Sequence, residues 1–354
     1  MTEKFQELLK KMRAAFDSAD KHPSWNTEKE DAVWGRIKEQ TTGRKQTTRP
    51  LTLLRWTAAA AILIIIAAIY LIYSGRHNTA PAVAKSTIPI SPGANRAYLV
   101  LATGQRVVLD DAKKGSVTTQ GGTNVVKLDS GVLAYHPTTS AGATLYNTVV
   151  TPRGGQYQLI LPDGTKVWLN ASTSLRFPTA FSAGRREVEL TGEAYFEVRH
   201  LPGQPFTVRT GHHTIEDIGT AFNINAYDDE PVAKVTLTEG EARVNGQRSL
   251  TLHPGQQVRW QADDPETLAK DVDTEDVLAW KNGQISFMNP DFSCVMRQIS
   301  RWYDVDIRYT GAVPKARFFG IVSRGVYLST LLEFFEHNNI HIRMDGRTLI
   351  VAPQ

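Results

Sequence analysis

Residues 56–73, WTAAAAILIIIAAIYLIY, form eighteen consecutive positions without a charge, and Thr57 is the one polar residue among them besides two tyrosines. A helix of that length spans about 27 Å, close to the hydrocarbon thickness of a bilayer. Trp56 at one end and Tyr70 and Tyr73 at the other stand where aromatic belts form. The run is apolar on every face, which fits a buried core helix poorly. It lies too far from Met1 for a secretory signal, and no small-residue cleavage motif closes it. An uncleaved anchor is the expectation, with a short segment on one side and a long one on the other.

Charge sets the expected orientation. Arg44, Lys45, Arg49 and Arg55 precede the run closely, against Arg76 and Lys85 after it, so the N-terminus is placed in the cytoplasm. The first 55 residues hold 12 Lys and Arg against 8 Asp and Glu, which accounts for the whole net charge of +4. The remainder is neutral, which argues against direct nucleic-acid binding by the bulk of the chain. The single cysteine, Cys294, excludes an internal disulfide and a multi-cysteine zinc site.

Before the run, Phe5, Leu8, Leu9, Met12 and Phe16 follow helical spacing. Thr27 and Glu30 form a capping box that opens a second helix striped by Val33, Trp34 and Ile37. Two short helices have little core of their own. They read either as a membrane-proximal hairpin or as a tail whose stripes another protein completes, with Trp34 at the centre of that contact. The basic stretch 44–55 links this tail, residues 1–43, to the anchor. Residues 74–95, rich in Ala, Pro, Ser and Thr, read as an extended tether.

From Ala97 to about residue 274 short Val, Leu, Ile, Tyr and Thr runs alternate with Gly-containing turns, an all-β pattern. LVLATGQRVVLDD (99–111) echoes LILPDGTKVWLNA (159–171), each a strand, a tight turn and a strand. Two copies do not make a solenoid, and a sandwich or β-roll over 96–265 is expected. The segment 274–354 reads βαββαβ: strand QISFM (284–288), helix Asp291–Trp302 with Phe292, Val295, Met296, Ile299 and Trp302 inward, strands DVDIRY (304–309) and RFFGIVS (317–323), helix Tyr327–His337, then hairpin strands IHIRM (340–344) and TLIVA (348–352).

Catalytic chemistry finds little support. Glu193 and Glu197 share one strand about 13 Å apart by the rise per residue, beyond the separation that paired-carboxylate hydrolysis uses. His136, His200, His212, His213 and His253 are scattered, and His337 and His341 are separated by Asn338-Asn339. No metal site, cofactor or enzyme activity is expected.

The motifs TPRGGQYQLILPDGTKVWLNASTSLRFP (151–178), REVELTGEAYFEV (186–198), PFTVRT (205–210), IGTAFNINAY (218–227) and LTEGEARV (237–244), in that order, resemble the FecR family of membrane-anchored regulators. The last 80 residues resemble the C-terminal domain of FecR proteins of Bacteroidetes type, and the short N-terminal domain of secretins and TonB-linked transducers. The resemblance implies a single-pass inner-membrane anti-sigma factor with a periplasmic C-terminus. Its partners would be an extracytoplasmic-function sigma factor, bound through Leu8, Leu9, Met12, Phe16, Trp34 and Ile37, the periplasmic signalling domain of a TonB-dependent transporter, and envelope proteases that cut it. It also raises self-cleavage at Gly219-Thr220, where a threonine hydroxyl attacks the preceding carbonyl; Asp217 departs from the apolar residue expected there. A plain turn at this pair is the competing reading. A second reading of the whole chain is an anchored periplasmic binding or envelope-assembly protein, with glycans as one ligand class, which a solvent-facing aromatic row including Trp168 or Trp260 would favour.

Overall fold

The computed structural model describes residues 90–353 apart from 111–112, 130, 138–143, 183, 218, 262–263, 289–290 and 316–318. The apolar run 56–73, the tail with Leu8, Leu9, Met12, Phe16, Trp34 and Ile37, and Ile218 lie outside the described residues. Among the described residues no helix is long and apolar enough to cross a membrane.

Strand alternation builds a sandwich of two sheets. One runs in the order Ser249–Leu252, Ala242–Asn245, His213–Asp217, Phe206–Thr210, the first half of Arg186–Glu197, Thr173–Pro178, Tyr146–Thr151, Tyr98–Val100 and Arg106–Val108. The other runs Gly115–Gln120, Thr123–Asp129, Val132–Pro137, Gly155–Ile160, Lys166–Leu169, the second half of Arg186–Glu197, Ala221–Ala226, Ala233–Glu239, Gln257–Trp260 and Thr267–Ala269. The long strand Arg186–Glu197 is shared, and it crosses between sheets at Gly192, whose φ of +100° L side chains rarely adopt. A Cβ there would also lie 2.6 Å from Thr173 Oγ1. Leu99, Val149, Phe177 and Phe206 from one sheet meet Val125, Leu159, Phe196 and Phe222 from the other in one apolar core, with Tyr135 edge-on to Phe177 at 4.9 Å.

The sequence echo folds twice into the same hairpin. Leu101 N donates to Gln105 O and Leu161 N to Thr165 O, both at 2.9 Å, with Gly104 at φ +83° and Gly164 at +90°.

Three helices follow: α1 (Thr274–Val277), α2 (Phe292–Tyr303) and α3 (Leu328–His337). Asp291 caps α2 by accepting from Ser293 N at 2.9 Å. Phe292, Val295, Met296, Ile299 and Trp302 are buried, as the helical period requires. Gln284–Ser286 pairs antiparallel with Ile321–Ser323, while Asp306–Tyr309 pairs parallel with Thr348–Val351, which closes a hairpin with Ile342–Asp345. This region has its own apolar core, centred on Phe287, Met296, Ile299 and Phe335.

The end of the expected tether is not loose. Ala94–Asn95 pairs in parallel with Gly155–Gln156, Ile90 O accepts from Leu328 N at 3.1 Å, and a Cβ on Gly93 would lie 2.6 Å from the Trp302 ring. A composition without period reports no apolar face. It is silent on main-chain groups that a distant strand can pair.

Candidate functional site

On the first half of the long strand burial alternates cleanly, but from Gly192 to Phe196 every residue is buried. One face of that stretch lies on the sandwich core; the C-terminal region covers the other. Strand alternation puts Glu193, Tyr195 and Glu197 on the face opposite Ala194, Phe196 and Val198. Glu193 is only 7% exposed, and its surroundings form a polar junction between the sandwich and the C-terminal region.

The junction is built around the Glu193 carboxyl group. Asn170 Nδ2 donates to its Oε2 at 2.7 Å and Asn223 Nδ2 to its Oε1 at 3.0 Å. Each asparagine then accepts from the C-terminal side. Arg324 Nη2 donates to Asn170 Oδ1 at 2.8 Å, and Trp280 Nε1 donates to Asn223 Oδ1 at 3.1 Å. Arg324 Nη1 also donates to Trp280 O at 2.9 Å, and its guanidinium lies over the Trp302 ring, 3.6 Å from the centroid. Burial raises the Glu193 pKa against the two amide donors and the Arg301 charge. Burial likewise lowers that of Arg324 to about 10, opposed by Tyr227, Glu193 and Tyr303, so the guanidinium stays charged at neutral pH.

Two further clusters join the same halves. Arg301 bonds Asp229 at 2.7 Å and Glu230 at 2.5 Å, and lies over the Tyr227 ring. Arg297 adds a second contact to Glu230 at 2.6 Å. Arg153 reaches Asp306 at 2.7 Å and Ser300 Oγ at 3.1 Å, and donates to Val305 O. Beside it Gly154 N donates to Arg301 O at 2.7 Å.

The aromatic positions serve the same contact. Lys281 Nζ lies against both the Trp168 and Tyr195 rings, 4.5 and 4.7 Å from their centroids. Trp280 packs on Tyr195 and Ala221. Trp260 is buried and stacks on His213 at 4.3 Å. Trp168 and Trp260 therefore do not form a solvent-facing row.

At the other end of Ala221–Ala226 lies the Gly219-Thr220 pair. Gly219 has φ +95°, and a Cβ on it would lie 2.8 Å from His200 Nδ1. Its carbonyl oxygen presses on Gly240, where a Cβ would come within 2.4 Å. Thr220 is buried, and its hydroxyl donates to Asp217 Oδ1. Burial pushes the Asp217 pKa up to about 6, against the N–H groups of Gly219 and Thr220 and the nearby Arg186 and His200. The geometry joins a hydroxyl, a carboxyl group poised near neutrality and a glycyl carbonyl.

Sequence reasoning passed over Asn170, Asn223 and Arg324. Asn223 carried a signal: asparagine is depleted in strands, so one buried in Ala221–Ala226 needs a polar partner, whereas Asn170, just past strand Lys166–Leu169, carried none. Arg324 sits in a short loop and carried none.

Residues 147–243 match the family described as FecR protein, and residues 284–351 match FecR, C-terminal. No curated protein matches the chain. Two crystal structures of a candidate anti-sigma factor from Parabacteroides distasonis ATCC 8503 are similar to it. One shows 28% identity and a TM-score of 0.55, covering 59% of this chain and 100% of that one. The other shows 27% identity and a TM-score of 0.54, covering 58% and 99%.

Proposed function

The chain belongs to the FecR family of anti-sigma regulators, and on that footing we propose that it is a single-pass inner-membrane protein that holds an extracytoplasmic-function sigma factor through its cytoplasmic tail. One observation carries this reading: the matched segments, 147–243 and 284–351, both follow the apolar run 56–73, while the segments with helically spaced apolar residues precede it. The periplasmic signalling domain of a TonB-dependent transporter would dock on the C-terminal region. Phe319 is 73% exposed there, with Met288 and Ile321 exposed nearby. Strand Ile321–Ser323 pairs only with Gln284–Ser286 among the described residues, which leaves an edge for strand addition. Envelope proteases would then release the tail, since a single helix transmits a shape change poorly.

The test is co-purification. A tail of residues 1–50 used as bait recovers a sigma factor, and Trp34→Ala weakens that recovery. Recovery of none, with both baits behaving alike, would sink the assignment.

The hydrogen bond from Thr220 to Asp217 supports self-cleavage as part of the same cycle. Asp217 takes the hydroxyl proton, Thr220 Oγ bonds to the Gly219 carbonyl carbon, and the Thr220 nitrogen leaves with a proton. Water then hydrolyses the ester to a Gly219 carboxylate and the free Thr220 hydroxyl. Strand Ala221–Ala226 stays paired on both sides, so the pieces remain together until denatured. Mass spectrometry under denaturing conditions should find fragments 1–219 and 220–354 in the parent chain and a single species in Thr220→Ala. An uncut parent chain overturns this step and leaves the anti-sigma reading standing.

A further inference from the structure

We propose that the seam around Glu193 is a polar latch, and that the C-terminal region opens from the sandwich as a unit while both apolar cores stay folded. This is a conformational step of the protein itself, and it stands whichever partner the chain takes.

The argument rests on how apolar and polar contacts are distributed. The sandwich closes its own core among Leu99, Phe177, Phe196 and Phe222. The C-terminal region closes a second core among Phe287, Met296, Ile299 and Phe335, to which the sandwich lends Ala171. The seam between them holds one small aromatic cluster, Trp280 on Tyr195 and Ala221, and is otherwise largely made of Glu193, Asn170, Asn223, Arg324, Arg301 and Glu230. Polar groups that separate into water regain hydration, whereas an opened apolar core regains nothing. Interfaces of this composition between parts of one chain are the ones that come apart.

The latch is also selective about how it opens. Removing one member weakens the rest: without Arg324, Asn170 Oδ1 keeps only the Ala171 N–H as donor inside the closed seam, while Glu193 stays buried beside it. Partial opening is therefore penalised, and the seam behaves as closed or open rather than yielding gradually. Arg153 against Asp306 and Arg297 against Glu230 guard its two rims.

The latch has a native reporter. Cys294 is the only cysteine of the chain. It lines a cleft of about 380 Å³ at this seam together with Glu230, Val232, Trp260 and Arg297. Burial and the nearby Glu230 raise the pKa of its thiol.

The experiment follows the rate at which Cys294 reacts with Ellman's reagent in the full chain held in mild detergent. Arg324→Gln and Trp280→Phe should each speed the reaction about tenfold or more, with far-UV circular dichroism and hydrogen exchange of strands 167–177 as in the parent chain. Unchanged rates in both folded variants overturn the latch. So does a rate in every variant that equals that of global unfolding, because the seam then opens only when the cores do. If Arg324→Gln does not fold, Trp280→Phe alone decides between these outcomes, since it deletes one donor and keeps an aromatic ring.

Discussion

Arg324 and Asn170 stand 154 positions apart in the chain, yet the guanidinium donates to the amide oxygen at 2.8 Å in a fully buried setting. Asn170 passes the contact on to Glu193 at 2.7 Å. A loop near the C-terminus thereby reaches a carboxyl group on the covered face of the sandwich through one amide side chain.

Asn170→Ala should therefore cost more than a typical surface change. It removes the partner of Glu193 Oε2 and of Arg324 Nη2 together and leaves two buried polar groups each short of a hydrogen bond. A loss of about 3 kcal/mol is expected, read as a shift in the urea midpoint. A loss below about 1 kcal/mol would mean that water replaces the amide without penalty.

The raised pKa of Asp217 predicts a pH dependence with a definite sign. Its value rises from the ordinary 3.8 to about 6, so the folded state holds this proton more firmly than the unfolded one. The stability it lends is fully present below pH 3.8 and is lost as pH climbs through 6. Asp217→Asn should flatten the melting temperature across that window and gain about 1–2 kcal/mol relative to the parent chain at pH 7, after allowance for solvent screening. Parallel curves for the two proteins would contradict this.

Glu266 predicts the opposite slope. Burial opposes its ionisation, but backbone N–H groups, including those of Arg248 and Gln247, and the His213 ring hold it down at about 2. The stability it lends is present above pH 4.5 and disappears as pH falls toward 2. Glu266→Gln should lose about 2 kcal/mol at pH 7 and unfold in acid less steeply than the parent chain. A Cβ on Gly246 would sit 1.9 Å from Glu266 Oε1, so Gly246→Ala should produce the same defect. The double variant should then be little worse than either single one.

Gly240→Ala tests the close approach to the Gly219 carbonyl. The position has φ +80°, and a Cβ would lie 2.4 Å from that oxygen and 2.8 Å from Thr220 Cγ2. Destabilisation of about 2 kcal/mol or more is expected from the strained backbone and the clash. Calorimetry gives the size. A near-neutral result would show that the 238–242 turn relaxes freely.

The order of elements was legible along the chain from the all-β region to the closing hairpin. Phe292, Val295, Met296, Ile299 and Trp302 repeat at helical spacing, and they are the buried face of α2. Gly104 and Gly164 mark matching turns, and both take positive φ. Local periodicity sufficed because each of these elements buries a single face, and the pattern reports one face at a time.

What the sequence by itself determined is therefore local: which residues make strands and helices, which glycines turn the chain, and which motifs ally it to its family. Tertiary structure alone decided the second face. Glu193 and Tyr195 alternate like outward residues but are buried, because residues 280–324 return to cover them. It also made a fastened strand of Ala94–Asn95 and set Asp217 against the Thr220 hydroxyl. The physical reason is common to all three. A side chain's neighbours along the chain set its conformation, but its ionisation and burial depend on groups that only folding brings near.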